Sequence, residues 1–182
     1  MLAVAQTRQV LSDIARAMSV CAEQPAHKNA IERFRTQIPA ADEKPFDPSP
    51  LEPVSLALAV DTRLARQLTS FAGQLPWRET QRMPGQGNKA VLCSLDELFV
   101  FEDLTSGLLW LEPGVAYPEH NHPPPELYFT LSGTAEWKFG GSDQYQSVSA
   151  GNLLHNHSLD THGVQAGDTP LLALFLLWHF EP

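Results

Sequence analysis

The sequence predicts a mainly β protein, in which a helical N-terminal segment precedes an antiparallel barrel or sandwich of roughly a hundred residues. After Gly87 the chain becomes a series of short apolar or alternating runs separated by turn residues. Helical spacing of apolar residues is confined to the part before Pro76. With 182 residues, 43% of them hydrophobic and 18% charged, the chain can bury a core. We therefore assign 1–76 to the helical segment and 77–182 to the barrel.

The N-terminal segment contains three stretches in which apolar residues recur at helical intervals. They predict helices over residues 4–21, 27–37 and 54–73, the last of which ends at a glycine. Five prolines fall between positions 39 and 53, too densely for a regular element, and indicate an extended connector. The sequence leaves open whether the helices cover one face of the sheet or form a dimer contact.

The C-terminal part contains runs with the length and the turn boundaries of β-strands. We expect strands over residues 90–93, 98–101, 107–111, 126–131, 135–139 and 171–178. Residues 174–178 form the most apolar stretch, and its length is that of a buried strand.

The overall charge narrows the classes of partner. A formal net charge of -9 and a pI near 5.1 argue against nucleic acid and anionic membranes, because both require a basic face. Cys21 and Cys93 lack metal-type spacing and are expected to be buried or free thiols. Arg8, Asp13 and Arg16 interrupt the opening segment, which therefore lacks the apolar run of a signal peptide or membrane span. The expected location is cytoplasmic.

The segment with the clearest chemistry lies between Gly114 and Gly133. His120 and His122 are two residues apart, so both imidazoles point to one side of an extended strand. Glu126 follows a turn of three prolines, at the start of the next expected strand. Two imidazoles and a carboxylate that converge from adjacent strands provide ligands for a divalent transition metal, with positions left open.

This segment resembles the first motif of the cupin family, in which a glycine, a His-x-His pair, a glutamate and a second glycine stand at fixed intervals. The resemblance implies a single cupin barrel of the double-stranded β-helix or jelly-roll type, with a further histidine ligand about forty residues later. Here Ser149-Ala150-Gly151 replaces the family's Pro-x-Gly turn. His155, His157 and His162 are all candidates, and we choose His162 because family members commonly place the ligand before a final turn and strand.

Two phenols are expected near this site. Tyr128 lies two residues after Glu126 and shares its inward face by strand alternation. A metal and neighbouring cations would lower the pKa of such a phenol and allow it to act as a general base. Tyr117, three residues before His120, is a second phenol, for which packing is nearly as good an explanation as catalysis.

The same residues resemble those of the cupin-type dimethylsulfoniopropionate lyases, over residues 77–178: Tyr117, His120, His122, Glu126, Tyr128, Trp137 and Trp178. The resemblance implies a metal-dependent carbon-sulfur lyase that releases dimethyl sulfide and acrylate, with Tyr128 as base or ligand. The expected cofactor is one divalent ion, Fe2+, Zn2+ or Mn2+, on His120, His122, Glu126 and His162.

The expected substrate carries a cationic sulfonium and a carboxylate. A sulfonium cannot donate a conventional hydrogen bond, so aromatic faces are its natural receptor. Trp178, Trp110, Phe129 and Tyr117 are available for this role, and His157 is a candidate at the barrel mouth. Trp110 and Trp137 are equally well explained as ordinary core residues.

Two other functions suit the same residues. A cupin oxygenase would use Fe(II) with open positions to bind dioxygen and a small carboxylate. A binding protein would hold a small carboxylate on its metal without turnover. We expect a homodimer, because dimers are common in this fold.

Overall fold

The structure is a computed structural model that describes residues 2–47 and 62–181. Three α-helices precede ten β-strands. The helices are α1 (Leu2–Cys21), α2 (Pro25–Ala40) and α3 (Arg63–Thr69). The strands are β1 (Trp77–Glu79), β2 (Ala90–Ser94), β3 (Leu104–Leu111), β4 (Ala116–His120), β5 (Glu126–Ser132), β6 (Thr134–Phe139), β7 (Tyr145–Ser149), β8 (Leu153–Asn156), β9 (His162–Ala166) and β10 (Leu171–Trp178).

The strands form two antiparallel sheets. One sheet has six strands in the order β1-β2-β3-β10-β5-β8, and the other has four in the order β4-β9-β6-β7. Because neighbours in the sheets are distant in sequence, the chain crosses between sheets repeatedly, as it does in a jelly roll. The expected mainly β cupin barrel with an N-terminal helical segment is confirmed.

The six-stranded sheet is apolar on both faces, and this determines where the helices lie. In β10, Leu172, Leu174 and Leu176 pack with the helices, whereas Leu171 and Ala173 face the barrel interior. On α1, the completely buried Leu11, Ile14, Ala15 and Met18 recur at helical intervals on one side. The helices therefore cover the outer face of this sheet. Of the two alternatives that the sequence left open, the structure shows the one in which the helices cover a sheet face.

The helix predictions are confirmed for the first two helices. The second is longer than expected: Pro25 stands in its first turn, where a missing N–H costs nothing, and Pro39 falls in its last turn. Only part of the third expected helix lies within the described residues. That part is α3, whose N-cap Thr62 accepts a hydrogen bond from the Ala65 N–H at 3.2 Å. Residues 48–61, which include three of the five prolines of the connector, lie outside the described residues.

The expected strand over residues 98–101 is wrong. The chain forms a 3-10 turn over Leu95–Glu97 and then a single antiparallel bridge between Phe99 and Glu43. This run pairs with the segment after α2, where Lys44 N–H donates to Leu98 O and Val100 N–H donates to Asp42 O. Four strands were not predicted, because they are short and interrupted by polar residues: β1, β7, β8 and β9. The sequence indicated β4 only as the extended strand that carries His120.

Two turns of the barrel, the one before β8 and the one between β5 and β6, depend on glycine. Gly151 has a φ of +85°, so it supplies the left-handed turn before β8 without the family's proline. Gly133, in the β5–β6 turn, has a φ of +78°, and a Cβ there would lie 2.2 Å from the Pro170 carbonyl oxygen. The backbone conformation and the close approach both require glycine at this second position.

The Gly133→Ala substitution is expected to destabilise the protein by more than about 2 kcal/mol, because steric overlap adds to backbone strain. Gly140→Ala is the matched control, since Gly140 also has a positive φ (+57°) but has open space around its Cβ position. Chemical denaturation of both variants would measure the difference. Equal losses of stability would show that the contact with Pro170 adds nothing.

Within residues 2–47 and 62–181, no helix has both the length and the apolar character required to cross a membrane. Both thiols are free, with Cys93 buried in the sheet and Cys21 partly exposed at the end of α1. Burial raises the pKa of the Cys93 thiol above its usual value, so this sulfur is inert.

Candidate metal centre

Three histidines converge at one end of the barrel interior. His120 ends β4 and His162 begins β9, and the two residues are direct partners across the paired strands. His122 follows two residues after His120, in the loop that leads to β5. Their ligand nitrogens all lie within 4.8 Å of one another, and these three residues form a group that could hold a metal ion.

Backbone carbonyls determine the tautomer of each ring. Nδ1 of His120 lies 2.9 Å from Pro118 O, Nδ1 of His122 lies 2.7 Å from Pro124 O, and Nδ1 of His162 lies 2.8 Å from Asp160 O. A carbonyl oxygen only accepts, so in each ring Nδ1 carries the proton and donates it. Each Nε2 is left with a free lone pair, which is the arrangement that metal-binding histidines adopt.

The carboxylate of Glu126 lies beside two of these lone pairs. Its Oε2 is 3.4 Å from Nε2 of His122 and 3.4 Å from Nε2 of His162, and the residue is 3% exposed. Burial raises the pKa of Glu126, but His122 and His162 lower it more, and the net pKa is below its usual value. On the opposite strand, Asn156 Nδ2 donates to the same oxygen at 3.1 Å.

These atoms fit a divalent cation. Nε2 of His122 and Nε2 of His162 are buried and have no hydrogen-bond partner among the described residues. Burial lowers the pKa of His120 to about 4, so its ring is neutral near pH 7 and can coordinate. Three imidazole lone pairs and a carboxylate are donors suited to Fe, Zn or Mn, and a bound ion would satisfy the orphaned nitrogens. His120 and His122 remain partly exposed to solvent.

Tyr128 lies next to this group on the inward face of β5, as predicted. It is 5% exposed, and its ring packs against Trp137 with ring centroids 4.6 Å apart. Burial raises the pKa of Tyr128 well above 10, and the negative charge of Glu126, to which its hydroxyl donates a hydrogen bond, raises it further. Without a metal the residue is therefore a neutral phenol, and the expected lowering of its pKa requires a bound cation.

Tyr117 also faces the centre. Its ring meets the ring of His120 edge-on at 5.3 Å, and the residue is 7% exposed. Burial raises the pKa of Tyr117, and the nearby guanidinium of Arg82 opposes this effect. Both phenols selected from the sequence therefore belong to the surroundings of the histidines.

The aromatic residues expected to receive the substrate lie elsewhere, and this part of the prediction needs correction. Trp178, Phe129 and Trp110 all belong to the core between the six-stranded sheet and the helices, on the opposite face from Tyr128. The reason is strand parity: Phe129 directly follows the inward-facing Tyr128, so it must point outward. The three side chains pack the helices against the barrel.

His157 and His155 are also separated from the three converging histidines by the sheet. The ring of His155 packs against Trp178 at 5.6 Å and against the buried ring of His27 at 4.6 Å. His157 is exposed, with its ring 4.1 Å from that of His155. Both line a cavity of about 770 Å³ between the barrel and the start of α2, so His157 does not face the expected substrate site.

Acid is expected to destabilise the protein through His155. Burial lowers its pKa to about 4 in the folded chain, and charge on His157 and His27 adds to this effect. The unfolded chain, with a histidine pKa near 6.5, binds this proton first as the pH falls, so stability is lost from about pH 6.5 down to about pH 4. We expect a His155→Phe variant to lose less Tm than the wild type over this range.

Thermal unfolding at a series of pH values would measure this effect. The matched control is His179→Phe at an exposed histidine, which is expected to follow the wild-type curve. If His155→Phe and the wild type lost Tm in parallel, His155 would not be a source of the acid sensitivity.

Four residues near the centre were not assigned to it from the sequence. Trp137 and Phe175 pack on Tyr128, Asn156 holds Glu126, and the charge of Arg82 acts on the histidines. Alternation in β6 would have placed Trp137 inward with Ala135. Phe175 and Asn156 are the cross-strand partners of Tyr128 and Glu126, and strand register is not visible in a single sequence.

The barrel, with three converging histidines that could hold a metal ion, defines a protein of the cupin class. A model of the dimethylsulfoniopropionate lyase family matches residues 12–173. This match covers most of both the helical segment and the barrel, and the chain belongs to that family.

Individual relatives agree with this assignment. Dimethylsulfoniopropionate lyase DddQ from Ruegeria pomeroyi is 31% identical over 80 residues, which are 44% of this chain and 39% of the relative. The alignment therefore spans well under half of that relative's length. The crystal structure of the lyase DddQ from Ruegeria pomeroyi DSS-3 is similar with a TM-score of 0.65 at 21% identity, covering 86% of this chain and 92% of that one.

A chain from the crystal structures of the DMSP lyases RdDddP and RnDddQII is similar with a TM-score of 0.66 at 19% identity. It covers 90% of this chain and 93% of its own length. At this level of identity, both structural similarities establish the fold.

Proposed function

We propose that this chain is a metal-dependent carbon-sulfur lyase that cleaves dimethylsulfoniopropionate to dimethyl sulfide and acrylate by base-initiated β-elimination. The observation that carries the proposal is the buried Tyr128 hydroxyl, hydrogen-bonded to Glu126 beside the three converging histidines. Family membership and the 31% identical lyase from Ruegeria pomeroyi support the same activity.

We assign the metal to His120, His122 and His162, with Glu126 as the fourth ligand and Fe2+, Zn2+ or Mn2+ as the ion. When bound, such a cation supplies Lewis-acid polarisation of the substrate carboxylate and lowers the pKa of a neighbouring phenol. Asn156 keeps the Glu126 carboxylate in place through its hydrogen bond to Oε2. The carbonyls that bind each Nδ1 hold the three imidazoles in the ligand tautomer.

The reaction requires one proton to be removed from the carbon next to the carboxylate. The deprotonated oxygen of Tyr128 takes that proton, the C–H electron pair becomes the new C=C bond, and the C–S bond breaks. Dimethyl sulfide leaves as a neutral molecule with the former C–S electron pair, so the leaving group needs no proton. Burial of Tyr128 excludes the water that would otherwise compete for its oxygen.

The sulfonium group needs aromatic faces inside the barrel, and the structure offers a different set from the one that the sequence suggested. Trp137 stacks with Phe139 at 6.3 Å, and Phe175 lies 6.1 Å from Tyr128. Phe139 and Phe175 are partly exposed and can contact a ligand, and Phe139 is the cross-strand partner of His162. We therefore assign the sulfonium to this aromatic group.

A product assay distinguishes this function from the alternatives. Metal-loaded protein incubated with dimethylsulfoniopropionate is expected to yield dimethyl sulfide and acrylate in equal amounts by proton NMR, at the same rate with and without dioxygen. Oxygen uptake coupled to loss of a small carboxylate would instead indicate an oxygenase. Tight binding of the substrate without product would indicate a binding protein.

A further inference from the structure

Among the described residues, Arg82 is the arginine that hydrogen-bonds to a tyrosine beside the metal centre. Arg82 lies in the turn between β1 and β2, which is exposed to solvent. Its side chain lines a cavity of about 560 Å³ together with Tyr117, Leu92 and Gln81. Tyr117 connects this cavity to the centre, because its ring packs edge-on against that of His120 with the ring centroids 5.3 Å apart.

Arg82 contacts the surroundings of the centre through Tyr117. Its guanidinium donates a hydrogen bond to the Tyr117 hydroxyl, which holds the group toward the barrel interior. Arg82 is therefore hydrogen-bonded to a side chain whose ring packs against His120.

Two other basic residues near Tyr117 already form ion pairs with carboxylates. Arg78, in the same cavity, pairs with Glu97 at 3.1 Å. Lys138 lies 3.7 Å from Glu119 and 3.7 Å from Asp143. In the part of the chain that the structure describes, no carboxylate lies within ion-pair distance of Arg82.

We propose that Arg82 is a specificity-determining residue that binds the carboxylate of the substrate at the mouth of the metal centre, while Tyr117 orients its guanidinium. This inference rests on the proposed function. The planar fork of a guanidinium matches the two oxygens of a carboxylate, and no carboxylate of residues 2–47 and 62–181 forms an ion pair with it. A metal ion alone accepts many anions and neutral oxygens, so Arg82 adds selectivity for a substrate with a carboxylate.

Binding of propionate, a carboxylate without a leaving group, tests this role without turnover. Zinc-loaded protein is titrated with propionate by calorimetry, with zinc content measured in every variant. Arg82→Ala is expected to weaken binding at least tenfold, and Arg82→Lys is expected to be intermediate because it keeps the charge but loses the fork. Arg78→Ala is the matched control and is expected to bind within twofold of the wild type.

Kinetics provide the second measurement. For dimethylsulfoniopropionate, Arg82→Ala is expected to raise KM about tenfold or more with a smaller change in kcat. The corresponding amide, which lacks the negative charge, is expected to react equally slowly with wild type and variant. This difference between the two compounds would not arise from a merely structural role of Arg82.

Three results would overturn the proposal: unchanged propionate affinity in Arg82→Ala, an equal loss in Arg78→Ala, or no detectable propionate binding by the wild type. Failure of the proposed function is distinguishable from these. If propionate binding depends on Arg82 but no dimethyl sulfide forms, the carboxylate site stands and the assigned substrate is wrong. If dimethyl sulfide forms with an unchanged KM in Arg82→Ala, the lyase stands and the role of Arg82 is wrong.

Discussion

The Tyr128→Phe variant is expected to retain its fold and its metal while kcat falls about 10²- to 10⁴-fold, the range for loss of a general base. The substitution removes only the hydroxyl, and the ring that packs against Trp137 and Phe175 remains. The lost atom is the one that donates to Glu126 and that we assign to proton removal. Steady-state release of dimethyl sulfide measures the effect, and circular dichroism and metal analysis establish that the variant is intact.

Tyr145→Phe provides the matched control for this result. Tyr145 is the third tyrosine of the chain, lies in β7, and is 50% exposed, away from Tyr128. Its variant is expected to have wild-type kcat. If Tyr128→Phe kept full activity with its metal bound, another group would have to remove the proton, and Tyr117 would be the next candidate to test.

The His122→Ala variant is expected to lose both its metal and its activity. The substitution removes one of three convergent nitrogens, and the remaining histidines and Glu126 leave an incomplete set of donors. Metal content after dialysis, measured by mass spectrometry, is expected to fall from about one ion per wild-type chain to a small fraction of that value. Activity without added metal is expected to fall in the same proportion.

His157→Ala is the corresponding control, because His157 lies on the other side of the sheet and is exposed. It is expected to keep its metal, whereas His162→Ala is expected to lose it. Loss of metal in His157→Ala together with retention in His162→Ala would show that His157 completes the ligand set.

The positions of three proposed metal ligands, His120, His122 and Glu126, follow from sequence because they depend on local geometry. The spacing from Gly114 to Gly133 places His120 at the end of one strand, His122 in the loop that follows and Glu126 at the start of the next strand, and the structure brings these side chains together. His162 was selected from a family pattern. Its role depends on the pairing of β9 with β4, which places it directly opposite His120.

The sequence does not show which aromatic residues point into the barrel, because both faces of the six-stranded sheet are apolar. Trp178 and Phe175 occupy the same strand, but they differ by an odd number of residues and so face opposite sides. The helices cover the face that carries Trp178. Phe175 lies on the other face, which points into the barrel, where the proposed metal ligands are. Composition alone gives no sign of which face is which, although the inward Tyr128 would have excluded its neighbour Phe129.

Arg82 was not found because it lies in a turn, where no periodicity places a side chain. Its proximity to the centre depends on how the loop between β1 and β2 folds over Tyr117. For this reason, a single sequence seldom identifies the polar side chains that reach a site from loops.

Headspace gas chromatography of dimethyl sulfide tests the central claim most directly. Metal-free protein is reloaded with Fe(II), Zn(II) or Mn(II) and supplied with dimethylsulfoniopropionate, beside metal-free protein and the Tyr128→Phe variant. Rapid release by at least one reloaded form, absent from metal-free protein and reduced at least a hundredfold in the variant, is the predicted result. Release by the reloaded forms no faster than by metal-free protein, with the metal shown to be bound, would contradict the lyase assignment.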